Sequence, residues 1–172
     1  MAYTVRPARF DEYDQLPEIE RSAAQRFAAQ AMPEIAAGEP TDATFIGAVG
    51  ALGGVFVAAT EPDDVPIGFI LVGLLDRAAH IYEISVREEH GRRGLGRQLI
   101  DEASRFAGAE GVSALTLATF RHIPWNGPFY QRLGFRYLEQ AEWTPALFIL
   151  RQHEIESGLS VDQRAFMRFD TE

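Results

Sequence analysis

The spacing of hydrophobic residues changes along the chain, and each change predicts a different element of secondary structure. At the N-terminal end, a short strand is predicted over 3–7, and apolar side chains at helical spacing then predict a first helix over 11–30. Glycine and proline within 31–40 predict a loop, and a second, short helix follows that ends near Leu52. The N-terminal part is therefore predicted to be mainly helical.

The middle of the chain is dominated by β-strand patterns. Apolar runs predict strands over 55–60, 67–75 and 78–86. Leucine, alanine and phenylalanine at helical spacing then predict an amphipathic helix over 95–108, which is followed by a strand over 112–120.

The C-terminal part alternates between helix and strand. The pattern predicts a short helix over 124–133, a strand over 135–143, a helix over 145–157 and a final strand over 164–169. Thr144-Pro145 is typical of a helix start, although an apolar run inside that helix also suits a strand. The predicted order of elements is β-α-α-β-β-β-α-β-α-β-(α)-β.

This order predicts the fold class, an α/β (α+β) protein with a mixed, mostly antiparallel central sheet flanked by helices. The chain has 172 residues, which is enough for one hydrophobic core, and it contains no repeat, low-complexity tract or linker. Residues 1–172 are therefore predicted to form a single domain.

The composition excludes several kinds of chemistry. The chain has no cysteine, so disulfides, thiol nucleophiles and thiolate metal sites are excluded. Its four histidines are scattered without the paired spacing of zinc sites, so no metal site is predicted. All basic residues are arginine, which excludes a P-loop lysine and a Schiff base.

Charge and hydropathy bear on partners and location. The net charge of −9 argues against nucleic acid as a partner, because binding to its backbone relies on basic surface. No apolar run is long enough to span a membrane and the start lacks the apolar core of a signal peptide, so a cytoplasmic protein is expected. The C-terminal helix and the strands around it are a possible homodimer interface.

A glycine-rich turn, Gly91-Arg-Arg-Gly94-Leu-Gly96, stands between a predicted strand and the amphipathic helix. Backbone N–H groups at such a helix start bind phosphate, because glycine allows close approach and the helix dipole favours an anion. Four arginines concentrate positive charge here, Arg87, Arg92, Arg93 and Arg97. The glycine spacing differs from the dinucleotide-binding motif and from the P-loop. The alternative interpretation is an ordinary turn with solvated arginines.

A second motif follows the next predicted strand and reads Phe129-Tyr130-x-x-Leu133-Gly134-Phe135. A tyrosine hydroxyl at the end of an apolar channel can donate a proton to a leaving group. A tyrosine in such a place can also simply pack over the core with its hydroxyl reaching solvent. The motif therefore indicates a catalytic tyrosine only in combination with the glycine turn.

Together, the two motifs resemble the GNAT N-acetyltransferase superfamily over roughly 55–136. The resemblance implies a GNAT-like fold and acetyl-CoA as co-substrate, with its pyrophosphate on the backbone amides of the turn and its pantetheine on the preceding strand. Gly91 departs from the family pattern, which has Arg or Gln there. The implied cofactor-binding residues are Ile84, Ser85, Val86, Arg92, Arg93, Gly94, Leu95, Gly96, Arg97 and Asn126. Asn126 has an alternative role as a helix cap.

The resemblance also implies the reaction, in which an amine attacks the thioester directly in a ternary complex and Tyr130 protonates the CoA thiolate. The amine must first lose a proton, since it is mostly protonated at neutral pH. Glu83 is the first candidate base, because a mid-strand carboxylate among apolar neighbours is unusual and partial burial strengthens it as a base. A solvent-facing Glu83 is the alternative, and His122 after the next strand is the rival base.

The acceptor is the least determined part of the interpretation. The resemblance implies that the loop after the first helix shapes specificity, and Glu34, Glu39 and Asp42 there would attract a cationic amine, although acidic loops are ordinary at this net charge. A primary amine of a small molecule is expected. The alternatives are a peptide or protein acceptor, a non-catalytic acyl-CoA-binding regulator of the same fold, and a dinucleotide-dependent oxidoreductase, which the glycine spacing disfavours.

Overall fold

The computed structural model describes residues 1–171, and this part of the chain forms seven β-strands and six α-helices. The strands are β1 (Ala2–Pro7), β2 (Val55–Glu61), β3 (Pro66–Leu75), β4 (Ala78–Val86), β5 (Ala114–Phe120), β6 (Arg136–Tyr137) and β7 (Arg164–Asp170). The helices are α1 (Leu16–Ala24), α2 (Pro33–Ala36), α3 (Ala43–Ala51), α4 (Leu95–Ala109), α5 (Gly127–Arg132) and α6 (Pro145–Glu156). Short 3₁₀ helices connect several of them.

The strands form one seven-stranded sheet in the order β1-β2-β3-β4-β5-β7-β6. The pairs β1–β2, β2–β3, β5–β7 and β6–β7 are antiparallel, whereas β4 and β5 are parallel. Helix α4 connects the parallel pair, as a crossover between parallel strands requires. The mixed, mostly antiparallel sheet flanked by helices is thus confirmed.

The chain divides into two compact units, residues 1–73 with 82–106, and residues 74–81 with those from 107 onward. The first unit packs α1 and α3 on alternate residues of β2 and β3, and its core cluster is Leu16, Ile19, Ile46, Val49, Val55, Val57, Phe69 and Leu71. The core cluster of the second unit is Leu138, Leu147 and Phe166. The single domain inferred from the sequence stays a prediction.

The predicted helix over 11–30 is wrong as one continuous α-helix. The structure has a 3₁₀ helix at Phe10–Gln15, then α1, then a second 3₁₀ helix at Gln25–Gln30. Pro17 explains the first break, because it lacks the N–H of a helix interior and is tolerated only in a first turn. The predicted loop over 31–40 also contains one helical turn, α2.

The strand predicted over 135–143 is only two residues long. The Glu139 backbone N–H bonds to the Glu142 carboxylate at 2.9 Å, and this local bond turns the chain out of the sheet. Strand β5 begins later than 112 because the Val112 N–H closes the end of α4 by bonding to the Ala107 carbonyl at 3.0 Å. The helix from Pro145 is confirmed, and α5 is shorter than predicted.

A buried ion pair ties β1 to the segment that follows it. Both guanidinium nitrogens of Arg6 donate to the Glu12 carboxylate, at 2.9 and 2.7 Å, and the Arg9 backbone N–H adds a third bond at 2.7 Å. Glu12 is only 2% exposed. Burial alone would raise the pKa of this carboxyl, but the hydrogen bonds from Arg6 and from the Arg9 backbone outweigh it and lower the pKa.

Replacing Glu12 by glutamine is expected to lower the free energy of unfolding by about 2 kcal/mol at neutral pH, because the partly buried Arg6 guanidinium loses two charge-assisted hydrogen bonds and keeps only Asp64 as a carboxylate partner. Since folding lowers the pKa of Glu12, its contribution is complete above the ordinary carboxyl pKa and is lost as the pH falls through the lowered value. The difference between Glu12→Gln and the unchanged protein in urea unfolding should therefore shrink below about pH 4.

The matched control is Glu18→Gln, which breaks an exposed pair with Arg21 and should change the free energy of unfolding by less than about 0.5 kcal/mol. If both variants lost the same free energy, Glu12 would have no special role in the fold.

Candidate active site

The segment after β4 is built by local backbone hydrogen bonds. The N–H groups of His90 and Gly91 each bond at 3.0 Å to the carbonyls of Arg87 and Glu88, which forms a single 3₁₀ turn. Arg92 (φ 60°) and Gly94 (φ 77°) then both adopt the left-handed conformation. Left-handed residues in such a turn aim backbone N–H groups into a common concavity, which is a typical anion site.

Helix α4 begins directly after this turn. Its first bond runs from the Gln98 N–H to the Gly94 carbonyl at 3.2 Å, so the N–H groups of Leu95, Gly96 and Arg97 precede the helical ladder. A Cβ atom placed on Gly94 would meet no heavy atom within 4 Å, so the space beside it is open. Free amides, open space and the positive end of a 15-residue helix fit a phosphate group.

The arginines of the turn are exposed. In the part of the chain that the structure describes, Arg92, Arg93 and Arg97 form no ion pair with a carboxylate, so their charge is available to a ligand. The Arg93 guanidinium lies 5.8 Å from the centre of the Tyr3 ring, and the Tyr3 hydroxyl is 2.9 Å from Nδ1 of His90. Tyr3 therefore supports the turn from β1.

Tyr3 was missed in the sequence because 87 positions separate it from His90. No local pattern links the two residues, and only the pairing of strands brings them together. A tyrosine in a short N-terminal strand carries no signal of its own.

On β4, Glu83 and Ser85 point to the same face, as predicted. The buried Ser85 hydroxyl donates to Oε1 of Glu83 at 2.7 Å, and Glu83 itself is half-buried. The parallel pairing of β4 with β5 covers Ala79–Ile81, and Ile84–Val86 lie beyond this stretch. Glu83 is thus a half-buried carboxylate that a hydrogen bond orients, and its role as the base stays a prediction.

In the second unit, Tyr130 is held in α5 by aromatic neighbours. It is 6% exposed, and its ring centre lies 5.3 Å from that of Phe129 and 5.7 Å from that of Phe135. The helix can approach the preceding strand only because its first residue is Gly127. A Cβ there would lie 2.7 Å from the Arg121 carbonyl oxygen. The ring of Tyr130 is thus packed among aromatic side chains, which fits both interpretations of this residue, and its role as a proton donor stays a prediction.

The other two residues predicted near α5 have simpler surroundings. His122 is exposed in the connection between β5 and α5. Asn126 stands at the N-cap position, but its side chain makes no capping hydrogen bond, and only its backbone carbonyl accepts, from the Tyr130 N–H at 3.0 Å. The capping alternative for the Asn126 side chain is therefore wrong.

The acidic residues before α3 have different positions. Asp42 caps α3, since its Oδ1 accepts the Thr44 N–H at 2.7 Å, and this bond lowers the pKa of the Asp42 carboxyl. Glu34 and Glu39 are exposed. Glu20 on α1 was missed in the sequence: it accepts the Thr41 N–H at 2.9 Å, and burial raises its pKa. The signal was its spacing from Leu16, four positions earlier, on the edge of the apolar face.

Residues 1–171 contain neither a metal-binding cluster nor a membrane-spanning helix. No three histidine, aspartate or glutamate side chains come together in a way that would hold a metal ion. No helix in this range combines the length and apolar character needed to cross a membrane.

These features define a class of protein. A strand leads through a glycine turn into the amide-rich start of a helix, within a mixed sheet, and such a helix start can bind a phosphate-containing ligand. The model of the acetyltransferase (GNAT) domain matches residues 51–137, which is half of the chain and includes both motifs. The chain belongs to this family, and acetyl transfer is the general activity of its class.

Solved structures share the fold, two of them over nearly the whole chain. The PaiA N-acetyltransferase of Thermoplasma acidophilum, solved with coenzyme A, is 15% identical, with 99% of each chain covered and a TM-score of 0.69. The ribosomal-protein-S18-alanine N-acetyltransferase of Escherichia coli is 15% identical over 99% of this chain and 95% of its own, with a TM-score of 0.66. A nourseothricin acetyltransferase is 26% identical over 69% of this chain and 65% of its own, with a TM-score of 0.52.

The variant Gly94→Trp is expected to raise the Kd for acetyl-CoA by about 100-fold or more, because the indole would fill the open space beside the free amides. Isothermal titration calorimetry measures this directly. The matched control is Gly111→Trp, since Gly111 has a φ of 75° and an equally empty Cβ position after the other end of α4. Normal binding by Gly94→Trp would show that the phosphate site lies elsewhere.

Proposed function

We propose that this protein transfers the acetyl group of acetyl-CoA to a primary amine of a small molecule, by direct attack in a ternary complex. The observation that carries the proposal is the start of α4, where unbonded amides face open space beside arginines without carboxylate partners. Such a group of amides and arginines would bind an anion such as a diphosphate. Membership of the GNAT family makes CoA the molecule that supplies it.

The proposed contacts to acetyl-CoA come from two parts of the chain. The amides of Leu95, Gly96 and Arg97 would donate hydrogen bonds to the pyrophosphate oxygens, with Arg92, Arg93 and Gly94 around them. The backbone of Ile84, Ser85 and Val86 at the end of β4 would pair with the pantetheine amides. Asn126, whose side chain is not used as a cap, is the remaining residue proposed to contact the cofactor.

The proposed chemistry is one displacement at the thioester carbonyl. The amine nitrogen forms the new C–N bond while the C–S bond breaks, and the thiolate takes a proton from the Tyr130 hydroxyl. The surplus proton of the amine passes to a base. Holding both reactants in one complex supplies much of the acceleration, because the two-body step becomes effectively intramolecular. Tyr130 suits its part because its ring is packed in place.

Glu83 is the proposed base. Its carboxylate is half-buried and is oriented by the Ser85 hydroxyl at 2.7 Å, so it presents a defined geometry to a proton donor or to a bridging water. His122 is exposed and belongs to a connection between elements, which gives it less orientation. The geometry therefore favours Glu83 over His122.

A small-molecule acceptor is favoured by the higher of the sequence identities. The nourseothricin acetyltransferase is 26% identical, whereas the enzyme that acts on ribosomal protein S18 is 15% identical and shares the fold alone. The net charge of −9, with Glu34 and Glu39 exposed before α3, also suits a cationic amine. A protein or peptide acceptor is the second candidate. A cytoplasmic location and a homodimer stay predictions.

The function is tested by CoA release from acetyl-CoA in the presence of polyamines, aminoglycosides, amino acids and peptides. We expect turnover with at least one small cationic amine, and Tyr130→Phe should lower kcat about 100-fold or more while the Kd for acetyl-CoA changes less than about twofold. Tyr13→Phe is the control for loss of a half-buried hydroxyl. Acetyl-CoA binding without any turnover would identify a non-catalytic regulator. Turnover with peptides alone would show that the acceptor is a peptide or protein and not a small molecule.

Glu83→Gln should lower kcat at neutral pH by about 100-fold, whereas His122→Gln should change it by less than about threefold. With Glu83→Gln the residual rate should rise steadily with pH, because only the fraction of free amine then limits the reaction. The pH profiles of kcat for both variants provide the measurement. The reverse pattern would make His122 the base, and no loss in either variant would assign proton removal to water alone.

A further inference from the structure

The second unit contains a cavity of about 260 Å³ that the proposed reaction does not use. It is lined by Leu75, Arg77, Ala78, Thr116, Arg136, Leu138, Glu142, Thr144, Leu147, Arg168 and Asp170. None of these is among the residues proposed to bind acetyl-CoA or to transfer protons. The volume is near the lower end of small-molecule pockets and suits a ligand of about amino-acid size.

The wall of this cavity carries an unusual pair of charges. Arg168 on β7 is directly opposite Arg136 on β6, and on its other side Arg168 is opposite Thr116 on β5. Like charges directly opposite each other destabilise a sheet unless something compensates them. Here Asp170 bonds to Arg168 at 2.7 Å and Glu142 bonds to Arg136 at 2.9 Å. The two arginines are thus held side by side.

A third arginine leaves the cavity positive. Arg77, in the turn before β4, is exposed and forms no ion pair in the range 1–171. Three arginines and two carboxylates give the lining a formal charge of +1, in a chain whose net charge is −9. Positive charge that nothing within the protein neutralises favours an anionic ligand.

Helix α6 begins at the wall of the cavity. Its N-cap residue, Thr144, lines the cavity and makes no capping hydrogen bond with its side chain, while the Asp76 carboxylate accepts the Ala146 N–H at 3.3 Å, so the anion-binding charge of the cavity comes from its arginines. The apolar side of the cavity is formed by Leu75, Leu138 and Leu147. An anionic group and a short apolar body would therefore both find partners.

The cavity lies on the opposite face of β7 from Tyr130. Arg168 and Asp170 line the cavity, so Phe169 between them points to the other face. Phe135 packs against Phe169 at 5.4 Å, and Tyr130 packs against Phe135 at 5.7 Å. The cavity and the proposed proton donor are thus on different sides of the same strand.

We propose that this cavity is a second ligand site, which binds a small organic anion with a carboxylate or a phosphate on a short apolar body. The anionic group contacts the guanidinium groups of Arg77, Arg136 and Arg168, and the apolar body contacts the three leucines. Binding at this site does not depend on acetyl transfer, so it can be measured even if the proposed function fails.

The experiment is calorimetric titration of the full chain with 4-methylpentanoate, 4-methylpentanamide and inorganic phosphate, in saturating CoA to block the glycine turn. We expect saturable binding of an anion, at least about tenfold weaker binding of the amide, and about tenfold weaker anion binding by Arg77→Gln. Arg105→Gln, an exposed arginine outside the cavity, should leave binding unchanged. Arg77 has no ion pair to lose, so its variant should fold normally.

The two anions distinguish the natural source of the ligand. Arg77-dependent binding that is tighter for 4-methylpentanoate identifies a carboxylate ligand, and tighter binding of phosphate identifies a phosphate ligand. The proposal is overturned if no anion binds saturably, if the amide binds as well as the carboxylate, or if Arg77→Gln and Arg105→Gln bind the anion equally.

Discussion

Backbone amides without a helical partner are the constraint on which the rest of this structure depends. A helix always begins with N–H groups that its own ladder cannot satisfy, and α4 begins with three of them beside open space. Only a residue tolerant of a positive φ can turn the chain there, which explains Gly94. Strand β4 of the sheet leads into the turn, and it holds Glu83 and Ser85 near its C-terminal end.

The surrounding elements keep this turn in one conformation. Tyr3 contacts both His90 and Arg93, and it can do so because β1 is tied down by the buried pair between Arg6 and Glu12. A mobile first strand would leave the turn without this support. The position of β1 therefore affects the geometry of the turn, although no residue of β1 belongs to either sequence motif.

The second unit uses the two faces of its strands differently. One face of β7 carries Phe169, on which Phe135 and then Tyr130 are packed. The other face carries the neighbouring arginines Arg136 and Arg168, with α6 beside them. Strand alternation makes this division possible, because successive side chains point to opposite sides. The aromatic packing of Tyr130 and the cavity can thus use the same short strand without sharing one of its side chains.

The sequence by itself determined the order of the strands and of the longer helices, the glycine turn before α4 and the helix that carries Tyr130, because these depend on local periodicity and on glycine positions. Local patterns failed at Glu139, where one local hydrogen bond turns the chain, and at Pro17, which lacks the N–H that a helix interior needs. Only the tertiary structure decided the contact of Tyr3 with the turn, the absence of a capping hydrogen bond from the Asn126 side chain, and the pairing of Arg136 with Arg168. Each of these joins residues distant in sequence, or depends on whether a side chain finds a partner, and neither leaves a periodic signal.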